Sequence, residues 1–320
     1  MRPGPASSDR MTRRGFLKGL AAAVLSGIVL SAYGFFIEPA LRLRVQRWRI
    51  RPPRWTGGPL RVALVADLHM GEPYMSLARL RRVVARTNAL GADIILILGD
   101  LEAGHRFVTR KVSMEDTAAE LARLGAPLGV WAILGNHDWW HDRAAQARGG
   151  GPNRIAGLLR AAGVPVLQND AVKLGEGTDA GPFWLAGLDD QLAIGVGDMI
   201  PDFDLPDAEG DMVFRGLDDL PGTLEKLTDD APAILLAHEP DIFPKVPDRI
   251  ALTFSGHTHG GQVRLFGYSP WVPSAYGNRF AYGHVREGSR DLLVSGGIGC
   301  SILPVRLGMV PEITLVEIAA

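Results

Sequence analysis

The chain has 320 residues, of which 47% are hydrophobic and 22% charged, and its mean hydropathy is +0.08. This composition supports a packed core and excludes a disordered chain. The 34 lysines and arginines against 35 aspartates and glutamates leave a net charge of -1, which removes the electrostatic argument for a specific nucleic-acid partner. The single cysteine, Cys300, excludes an intrachain disulfide framework and a cysteine-rich zinc site. A metal ion would therefore need histidine and carboxylate ligands.

The N-terminal part of the chain contains an apolar run at 19–37, which is 19 residues without a charge. As an α-helix this run would be about 28 Å long, close to the thickness of the hydrocarbon core of a bilayer. Residues 12–18 are Thr-Arg-Arg-Gly-Phe-Leu-Lys, which resembles the twin-arginine export signal of bacteria. We therefore predict that residues 1–40 are a twin-arginine-type signal and a transmembrane anchor.

Cleavage of this segment stays open. The small-x-small site that the sequence offers is Ala-Tyr-Gly at 32–34, inside the apolar run, which favours a retained anchor over a released protein. Arginines lie on both sides of the run, so positive charge does not define its orientation. The export signal does define the orientation, and it predicts that the domain after the run lies on the extracytoplasmic (periplasmic) side of the cytoplasmic membrane.

Residues 41–51 alternate apolar and basic side chains with a period of two, which predicts a strand with one apolar and one basic face. Pro52, Pro53 and the Gly-Gly-Pro at 57–59 end this pattern. Two interpretations of residues 41–59 are open at this point. The segment is either a solvated edge strand or a basic linker whose arginines face lipid headgroups.

From residue 60 onward, short apolar runs alternate with helical patterns, which indicates βαβ units. Helices are predicted at 76–90 and 115–124, where apolar residues recur at helical spacing. Later runs have Gly and Pro turns and little helix between them, which indicates a second sheet. We predict one α/β domain over residues 60–320. Its strands are expected at 60–66, 93–98, 129–134, 183–188, 232–237, 252–255, 282–286, 292–295 and 312–318.

Polar residues that are able to bind metals follow five of these strands. Ligands of α/β proteins bind beyond the carboxyl ends of the strands, so a site is expected where these residues meet. Five of the eight histidines fall in these five blocks. In chain order the blocks are Asp67-Leu68-His69, Gly99-Asp100, Gly135-Asn136-His137-Asp138, His238-Glu239 and Gly256-His257-Thr258-His259.

The set and order of these blocks resembles the calcineurin-like metallophosphoesterase superfamily, whose pattern is D-x-H, G-D, G-N-H-[DE], H and G-H-x-H. The resemblance covers about residues 60–318, and all five motifs are present. The chain looks most like the membrane-associated bacterial branch, because aromatic residues follow G-N-H-D, Gly-Gly-Gln follows G-H-T-H and a V-S-G-G-I-G-x-S run comes late. The resemblance implies a four-layer α/β fold, a two-sheet β-sandwich flanked by helices.

The resemblance also implies a dinuclear metal site and roles for the residues around it. A water or hydroxide held between two divalent cations would attack phosphorus. His137 would protonate the leaving group or stabilise the equatorial oxygens, and Asp138 would orient it. Nitrogen and oxygen ligands without thiolate admit Mn, Fe, Zn, Co or Ni, so the identity of the metal stays open. The implied ligands are Asp67, His69, Asp100 and His259 for one cation and Asp100, Asn136, His238 and His257 for the other, with Asp100 as the bridge.

Four side chains near the motifs keep open roles. Trp139 and Trp140 form either a hydrophobic wall for the substrate or part of the core. His105 and His141 are close enough in sequence to line the cleft, and the alternative is a surface position. Further along the chain, Trp271 is expected to be structural.

The function expected from the sequence is that of a dinuclear metal-dependent phosphoesterase at the cell membrane, which hydrolyses a phosphodiester or pyrophosphate bond. Its partners would be a lipid-linked or nucleotide-linked phosphate ester, the bacterial membrane and the twin-arginine export machinery. One alternative is hydrolysis of the pyrophosphate of UDP-2,3-diacylglucosamine in lipid A synthesis, but that reaction needs cytoplasmic access and the export signal argues against it. Another is a non-catalytic metal-binding module of the envelope, against which the intact His137 argues.

Overall fold

The computed structural model of the protein describes residues 12–196 and 213–319. A π-helical segment, Tyr33–Ile37, joins the first two α-helices, and 3₁₀ helices cover Pro240–Lys245, His259–Gly261 and Gly277–Phe280. The α-helices are α1 (Arg13–Ala32), α2 (Glu38–Leu41), α3 (Leu77–Asn88), α4 (Met114–Leu121), α5 (Asn136–Trp140), α6 (Arg143–Arg148), α7 (Arg154–Ala161) and α8 (Leu220–Glu225). The strands are β1 (Arg44–Ile50), β2 (Leu60–Val65), β3 (Gly71–Glu72), β4 (Ile94–Ile97), β5 (Arg110–Lys111), β6 (Val130–Ala132), β7 (Asp170–Leu174), β8 (Phe183–Gly187), β9 (Ile194–Val196), β10 (Val213–Arg215), β11 (Ala233–Leu236), β12 (Ile250–Ser255), β13 (Gly283–Glu287), β14 (Arg290–Val294) and β15 (Glu312–Ile318).

The nine strands predicted from residue 60 onward are all present, with ends within two residues of the prediction. The first sheet has the order β1-β15-β2-β4-β6, and in it β2, β4 and β6 are parallel neighbours. The second sheet has the order β13-β14-β12-β11-β8-β7, and in it β8, β11, β12 and β14 are parallel. The central parallel strands are almost wholly buried, as expected for strands that are covered on both faces.

The two sheets pack face to face over one apolar cluster. Leu64 and Leu96 of the first sheet and Leu185 and Phe254 of the second belong to it. A second cluster joins the outer face of the first sheet to α3, α4 and α7, and a third joins the outer face of the second sheet to α8 and the 3₁₀ helix Pro240–Lys245. These four layers confirm the predicted α/β fold, a two-sheet β-sandwich flanked by helices.

The N-terminal helices and the π-helical segment form one continuous run, Arg13–Leu41, which is long and apolar enough to cross a membrane. The hydroxyl of Thr12 caps its first turn by accepting a hydrogen bond from the backbone N–H of Gly15 (3.1 Å). Every residue of α1 is exposed, so this helix contacts little of the globular domain. Of the predicted signal and anchor at 1–40, residues 1–11 lie outside the described residues.

The end of this helical run is attached to the globular domain. The backbone N–H of Arg306 donates to the carbonyl oxygen of Gly34 (2.9 Å). The guanidinium of the buried Arg79, on α3, donates to the carbonyl oxygens of Pro39 and Arg42. The helix therefore leaves the domain at a defined position.

The alternating basic segment forms the edge strand β1, which is parallel to β15 from Arg44 to Ile50. The strand begins later than predicted, because residues 38–41 complete the N-terminal helix. Two of its arginines form ion pairs with β15, since Arg44 lies 2.7 Å from Glu312 and Arg49 lies 2.7 Å from Glu317. Of the two interpretations of this segment, the structure shows the edge strand for residues 44–50.

Candidate metal centre

Five loops meet at one edge of the β-sandwich because each follows the carboxyl end of a parallel strand. Five residues on these loops have φ between 44° and 68°, a region that side chains other than glycine rarely adopt. Such backbone strain persists only where the surroundings enforce it, and it is concentrated at functional sites. The predicted ligands on these loops are Asp67 and His69 after β2, Asp100 after β4, Asn136 after β6, His238 after β11, and His257 and His259 after β12.

The first group of side chains consists of Asp67, His69, Asp100 and His259, whose candidate ligand atoms all lie within 4.8 Å of one another. Nε2 of His69 lies 3.1 Å from Nε2 of His259 and 3.4 Å from Oδ2 of Asp100. Nε2 of His259 lies 3.7 Å from Oδ1 of Asp67. All four residues are buried, so their nitrogen and oxygen donors face one another and not solvent.

The second group consists of Asp100, His238 and His257, whose candidate ligand atoms also lie within 4.8 Å of one another. Nε2 of His238 lies 3.3 Å from Oδ2 of Asp100. The amide oxygen of Asn136 lies 3.0 Å from Nδ1 of His257 and so extends this group. Asp100 belongs to both groups, which places its carboxylate where two cations would share it.

His238 tests whether the second group fits a metal ion. Its Nδ1 lies 2.6 Å from the carbonyl oxygen of Leu98, and because a carbonyl only accepts hydrogen bonds, Nδ1 carries the proton. In the neutral ring, Nε2 then carries a lone pair. This atom is buried without a hydrogen-bond partner and lies near the carboxylate of Asp100. Oδ2 of Asp67 is also buried without a partner. These unpaired nitrogen and oxygen donors are the kind that divalent cations bind, so the residues fit the metal pair.

Burial and neighbouring charge determine the protonation of these histidines. Burial lowers the pKa of His69 to about 4 and that of His259 well below its ordinary value, so both are neutral at pH 7, the form that binds metals. Burial also acts to lower the pKa of His238, but the carboxylates of Asp100, Glu239 and Asp67 outweigh it and raise this pKa well above its ordinary value. The carboxylates thus favour a positive charge here, which a metal cation supplies as well as a proton does.

The carboxylate of Asp138 holds backbone in place. It accepts hydrogen bonds from the N–H groups of Asp100 (2.9 Å), Leu101 (2.8 Å) and Gly135 (3.0 Å). The sequence prediction was that Asp138 orients the ring of His137. The observed contacts join the loop after β4 to the start of α5, which is a positioning role for the loops that carry the ligands, and the role toward His137 stays a prediction.

His137 lies beside both groups and belongs to neither. Its backbone N–H donates to Oδ1 of Asp100 (2.9 Å), and its ring packs edge-on against that of His69, with centroids 4.7 Å apart. Nε2 of His137 lies 3.2 Å from the hydroxyl of Ser301, and Nδ1 lies 3.4 Å from Nε2 of His141. The two ring nitrogens are thus oriented by residues outside the ligand set.

The two groups open into a cavity of about 490 Å³. Trp140 lines this cavity, whereas Trp139 is buried in the core and donates to Oδ1 of Asp189 (2.9 Å), so only one of the two tryptophans is a wall residue. His105 also lines the cavity. Trp271, which was expected to be structural, also lines the cavity. Because 58% of its surface is exposed, it is not part of the core.

Two residues beside the site were missed by the motif analysis. Ser301 ends the V-S-G-G-I-G-x-S run that the resemblance singled out, so its signal was present without a role attached. Arg306 is fully buried, and its Nη2 lies 3.0 Å from Nδ1 of His259. Its only sequence signal is one charged residue in the otherwise uncharged stretch 302–310.

Comparisons with known proteins bear on this site. The calcineurin-like phosphoesterase family matches residues 60–261. YkuE of Bacillus subtilis, an uncharacterized metallophosphoesterase, is 29% identical over 96% of this chain and 97% of its own length. The phosphodiesterase YaeI of Escherichia coli is 28% identical over 96% of this chain and 99% of its own length. A transmembrane protein with metallophosphoesterase domain from Danio rerio is 28% identical over 96% of this chain and 64% of its own length.

Among solved structures, a dimetal phosphatase from Danio rerio is similar with a TM-score of 0.42 and 13% identity, over 75% of this chain and 88% of that one. The family match covers more than half of the chain and includes all five motif blocks. The chain therefore belongs to the calcineurin-like phosphoesterase family. It is a metal-dependent phosphoric ester hydrolase, and the buried Asp and His cluster is its metal-binding cluster.

The shared carboxylate leads to a first prediction. Asp100→Asn keeps the size of the side chain and removes the negative charge common to both groups. We expect fewer than two metal ions per chain, measured by elemental analysis of the purified protein, and a rate lowered about 10- to 100-fold. The control is Asp142→Asn, a buried helix cap outside both groups, which should keep both metals. Two metals per chain in Asp100→Asn would show that this carboxylate is not the bridge.

The packing of the loops leads to a second prediction. A methyl group at Gly135 would lie 2.4 Å from Oδ1 of Asp100 and 2.6 Å from Cε1 of His238, closer than such atoms approach. Gly135→Ala should therefore displace ligands of both groups and weaken metal binding about tenfold or more, measured by competition with a chelator. Gly157→Ala is the matched control, because no atom lies within 4 Å of its added methyl group. Unchanged affinity in Gly135→Ala would contradict the tight loop packing.

Proposed function

We propose that this chain hydrolyses a phosphodiester or pyrophosphate bond with two divalent cations at a bacterial membrane, with its catalytic domain on the extracytoplasmic side. The observation that carries the proposal is the pair of buried ligand groups that share Asp100 and open into one cavity. The relative YaeI is named a phosphodiesterase, which supports a diester as the substrate class. The natural substrate would be a lipid-linked or nucleotide-linked phosphate ester.

In this proposal the ligands act as two sets around a common carboxylate. When bound, two such cations would lower the pKa of a metal-bound water and neutralise charge on the phosphate. The histidines would supply lone pairs to the ions once His238 has lost its extra proton, and Asp100 would offset part of the positive charge of both. One set is Asp67, His69, Asp100 and His259, and the other is Asp100, Asn136, His238 and His257.

We assign the proton-transfer role to His137. It lines the cavity beside the ligand groups and belongs to neither of them. A ring N–H aimed at the leaving oxygen would donate a proton or a hydrogen bond as the ester bond breaks. Asp138 would contribute indirectly, by fixing the backbone around Asp100 and the start of α5.

Besides the cations at the metal site, the cavity offers a positively charged side chain for the phosphate. Arg106 lines it beside His105, and a guanidinium forms paired hydrogen bonds with phosphate oxygens. Trp140 also lines the cavity, and its ring centroid lies 4.9 Å from that of His137. The cavity thus suits an ester with both a charged phosphate and an apolar part.

The attachment to a membrane is supported by the helical run Arg13–Leu41. The apolar side chains of α1 are exposed in the described structure, and such a surface is stable when lipid surrounds it. The Danio rerio relative is named a transmembrane protein, which is consistent with this position. The residues at 12–18 support export by the twin-arginine machinery and hence the extracytoplasmic side.

The role of His137 leads to a third prediction. His137→Ala should retain both metals and lose about 10²- to 10⁴-fold in rate, the range of a positioned acid or base. The loss should be smaller for a nitrophenyl ester than for an alkyl ester, because nitrophenolate needs little protonation on departure. Metal content and rate are to be measured on the same sample, with both ester types.

The control for this variant is His284→Ala, whose ring pairs with Asp291 on the second sheet and which should keep both metals and activity. Equal losses for both leaving groups would favour electrostatic stabilisation by His137 over proton donation. Loss of metal together with activity would make His137 a ligand and overturn the assigned role.

The export signal leads to a fourth prediction. Replacing Arg13 and Arg14 together by Lys keeps the charge and should block export, because the signal is read by a receptor and not by charge alone. Export is to be measured as protease accessibility of the catalytic domain in spheroplasts. Lys18→Arg serves as the charge-matched control and should be exported. Undiminished export of the double variant would contradict the twin-arginine assignment.

A further inference from the structure

Exposed apolar side chains are concentrated in two segments, part of which lines the catalytic cavity. Beyond the N-terminal helical run, nine large apolar side chains of the described residues are exposed, and six of them lie in two segments, 265–271 and 302–303. Isolated exposed apolar residues are normal on a soluble surface, whereas a contiguous group marks an interaction surface. We call this group the apolar rim; its members are Leu265, Phe266, Tyr268, Trp271, Ile302 and Leu303.

The inner part of the apolar rim is the wall of the cavity. Trp271, Ile302 and Leu303 line the cavity together with the metal ligands. Gln262, which precedes the first segment of the rim in the chain, binds the second, because its side chain donates to the carbonyl oxygen of Leu303 (2.9 Å) and accepts from the backbone N–H of Ser301 (2.8 Å). A molecule that covers the rim would therefore lie directly against the entrance of the catalytic site.

The outer part of the rim is a turn that projects from the domain. The backbones of Leu265 and Tyr268 are hydrogen bonded to each other in both directions (2.9 and 3.0 Å). Between them, Phe266 has a φ of 52° and is fully exposed. Phe266 and Gly267 both have positive φ, as this two-residue hairpin turn requires, but a bulky residue is uncommon in that backbone conformation. The turn thus leaves its aromatic ring exposed to solvent.

The rim lies next to the place where the N-terminal helix leaves the domain. The backbone N–H of Arg264, just before the turn, donates to the carbonyl oxygen of Leu307 (2.9 Å). The neighbouring Arg306 donates in turn to the carbonyl oxygen of Gly34 in the helical run (2.9 Å). The segment 305–307 is thus a bridge with the helix on one side and the aromatic turn on the other.

The end of the helical run has the composition of a membrane interface. The hydroxyl of Tyr33 accepts a hydrogen bond from the guanidinium of Arg42 (2.6 Å). Tyr, Trp and Arg are typical of the depth at which lipid headgroups lie, because each has an apolar body and a polar end. With the helix embedded, the headgroup layer would lie at residues 33–42 and so beside the rim.

From this arrangement we infer that the apolar rim inserts into the surface of the same bilayer that holds the N-terminal helix, so that the cavity receives a phosphate ester carried by a membrane lipid. The inference rests on the proposed function, since it needs both the membrane attachment and the diester hydrolysis. It adds the substrate class and the direction of approach. The lipid phosphate would lie at headgroup depth, and Phe266 and Leu265 would contact the acyl region below it.

Insertion is tested directly by the depth of a nitroxide spin label in the full chain reconstituted into vesicles of phosphatidylethanolamine and phosphatidylglycerol. The label is attached to Phe266→Cys, with the buried native Cys300 left unlabelled, as unmodified protein treated in parallel will show. The control is Glu176→Cys, in the exposed turn between β7 and β8 at the edge opposite the ligands. We expect the label at position 266 to collide more with oxygen than with a water-soluble nickel complex, and the label at 176 to do the reverse.

The consequence for the substrate is tested with two esters that share a leaving group. Hexadecyl 4-nitrophenyl phosphate is placed in the vesicles, and ethyl 4-nitrophenyl phosphate is supplied in solution. The double variant Leu265→Ser with Phe266→Ser changes exposed side chains outside the cavity lining, so its fold should be kept. We expect its rate on the vesicle-borne ester to fall about tenfold while its rate on the soluble ester is unchanged.

The outcomes separate the inference from the proposed function. A chain that floats with the vesicles and hydrolyses both esters, yet carries a water-exposed label at position 266, would overturn the inference alone. Equal effects of the double variant on both esters would also overturn it. Wild-type chain that fails to float with vesicles would overturn the proposed attachment and the inference with it. Wild-type chain that floats and hydrolyses neither ester after loading with manganese would overturn the proposed diester hydrolysis.

Discussion

Buried negative charge and histidine lone pairs at the edge of the β-sandwich are the constraint on which this structure depends. Asp67 and Asp100 lie out of water among four histidine rings, with an oxygen and a nitrogen that have no hydrogen-bond partner. In a low-dielectric interior such groups are costly unless cations join them. Metal ions that bind the folded chain and not the unfolded chain would therefore stabilise the fold as well as activate the enzyme.

The rest of the fold supplies the rigidity that this arrangement needs. Apolar clusters cover both faces of each sheet, so the carboxyl ends of the parallel strands are held in fixed positions. The loops that follow them are tied together by Asp138 and packed so closely at Gly135 that a methyl group does not fit. Five residues of these loops have positive φ. The packing of the sheets offsets the free energy of this backbone strain.

Contacts of the segment between β14 and β15 join the catalytic site to the N-terminal helix. The side chain of Arg306 lies against His259, and its backbone binds Gly34 in the helical run. Its neighbours Ser301 and Leu303 contact His137 and Gln262. The segment between β14 and β15 is thus shared by the metal cluster, the cavity wall and the attachment of the helix, and the orientation of the cavity relative to the helix follows from it.

Much of this protein was predictable from the sequence because its signals are local. Apolar runs of four to seven residues predicted the strands, since buried parallel strands carry apolar side chains at nearly every position. The residues at the ends of those strands predicted the cluster, because carboxyl ends of parallel strands meet at one edge. The resemblance to the calcineurin-like metallophosphoesterases, and not the strand pattern, implied Asp100 as common to both groups, and the distances place it in both.

What the sequence did not determine depends on contacts between distant residues. Adjacent Trp139 and Trp140 have the same chemistry, and only the rotation of α5 sends one into the core and the other to the cavity. The sequence placed Asp138 beside its neighbour His137, and only folding brings its carboxylate to the backbone N–H groups of Asp100 and Leu101 as well. The sequence by itself determined the strands, the ligand types and the apolar helix, because these follow from side-chain chemistry and periodicity. The tertiary structure alone decided which surfaces meet, because that depends on how two sheets and a helix pack in space.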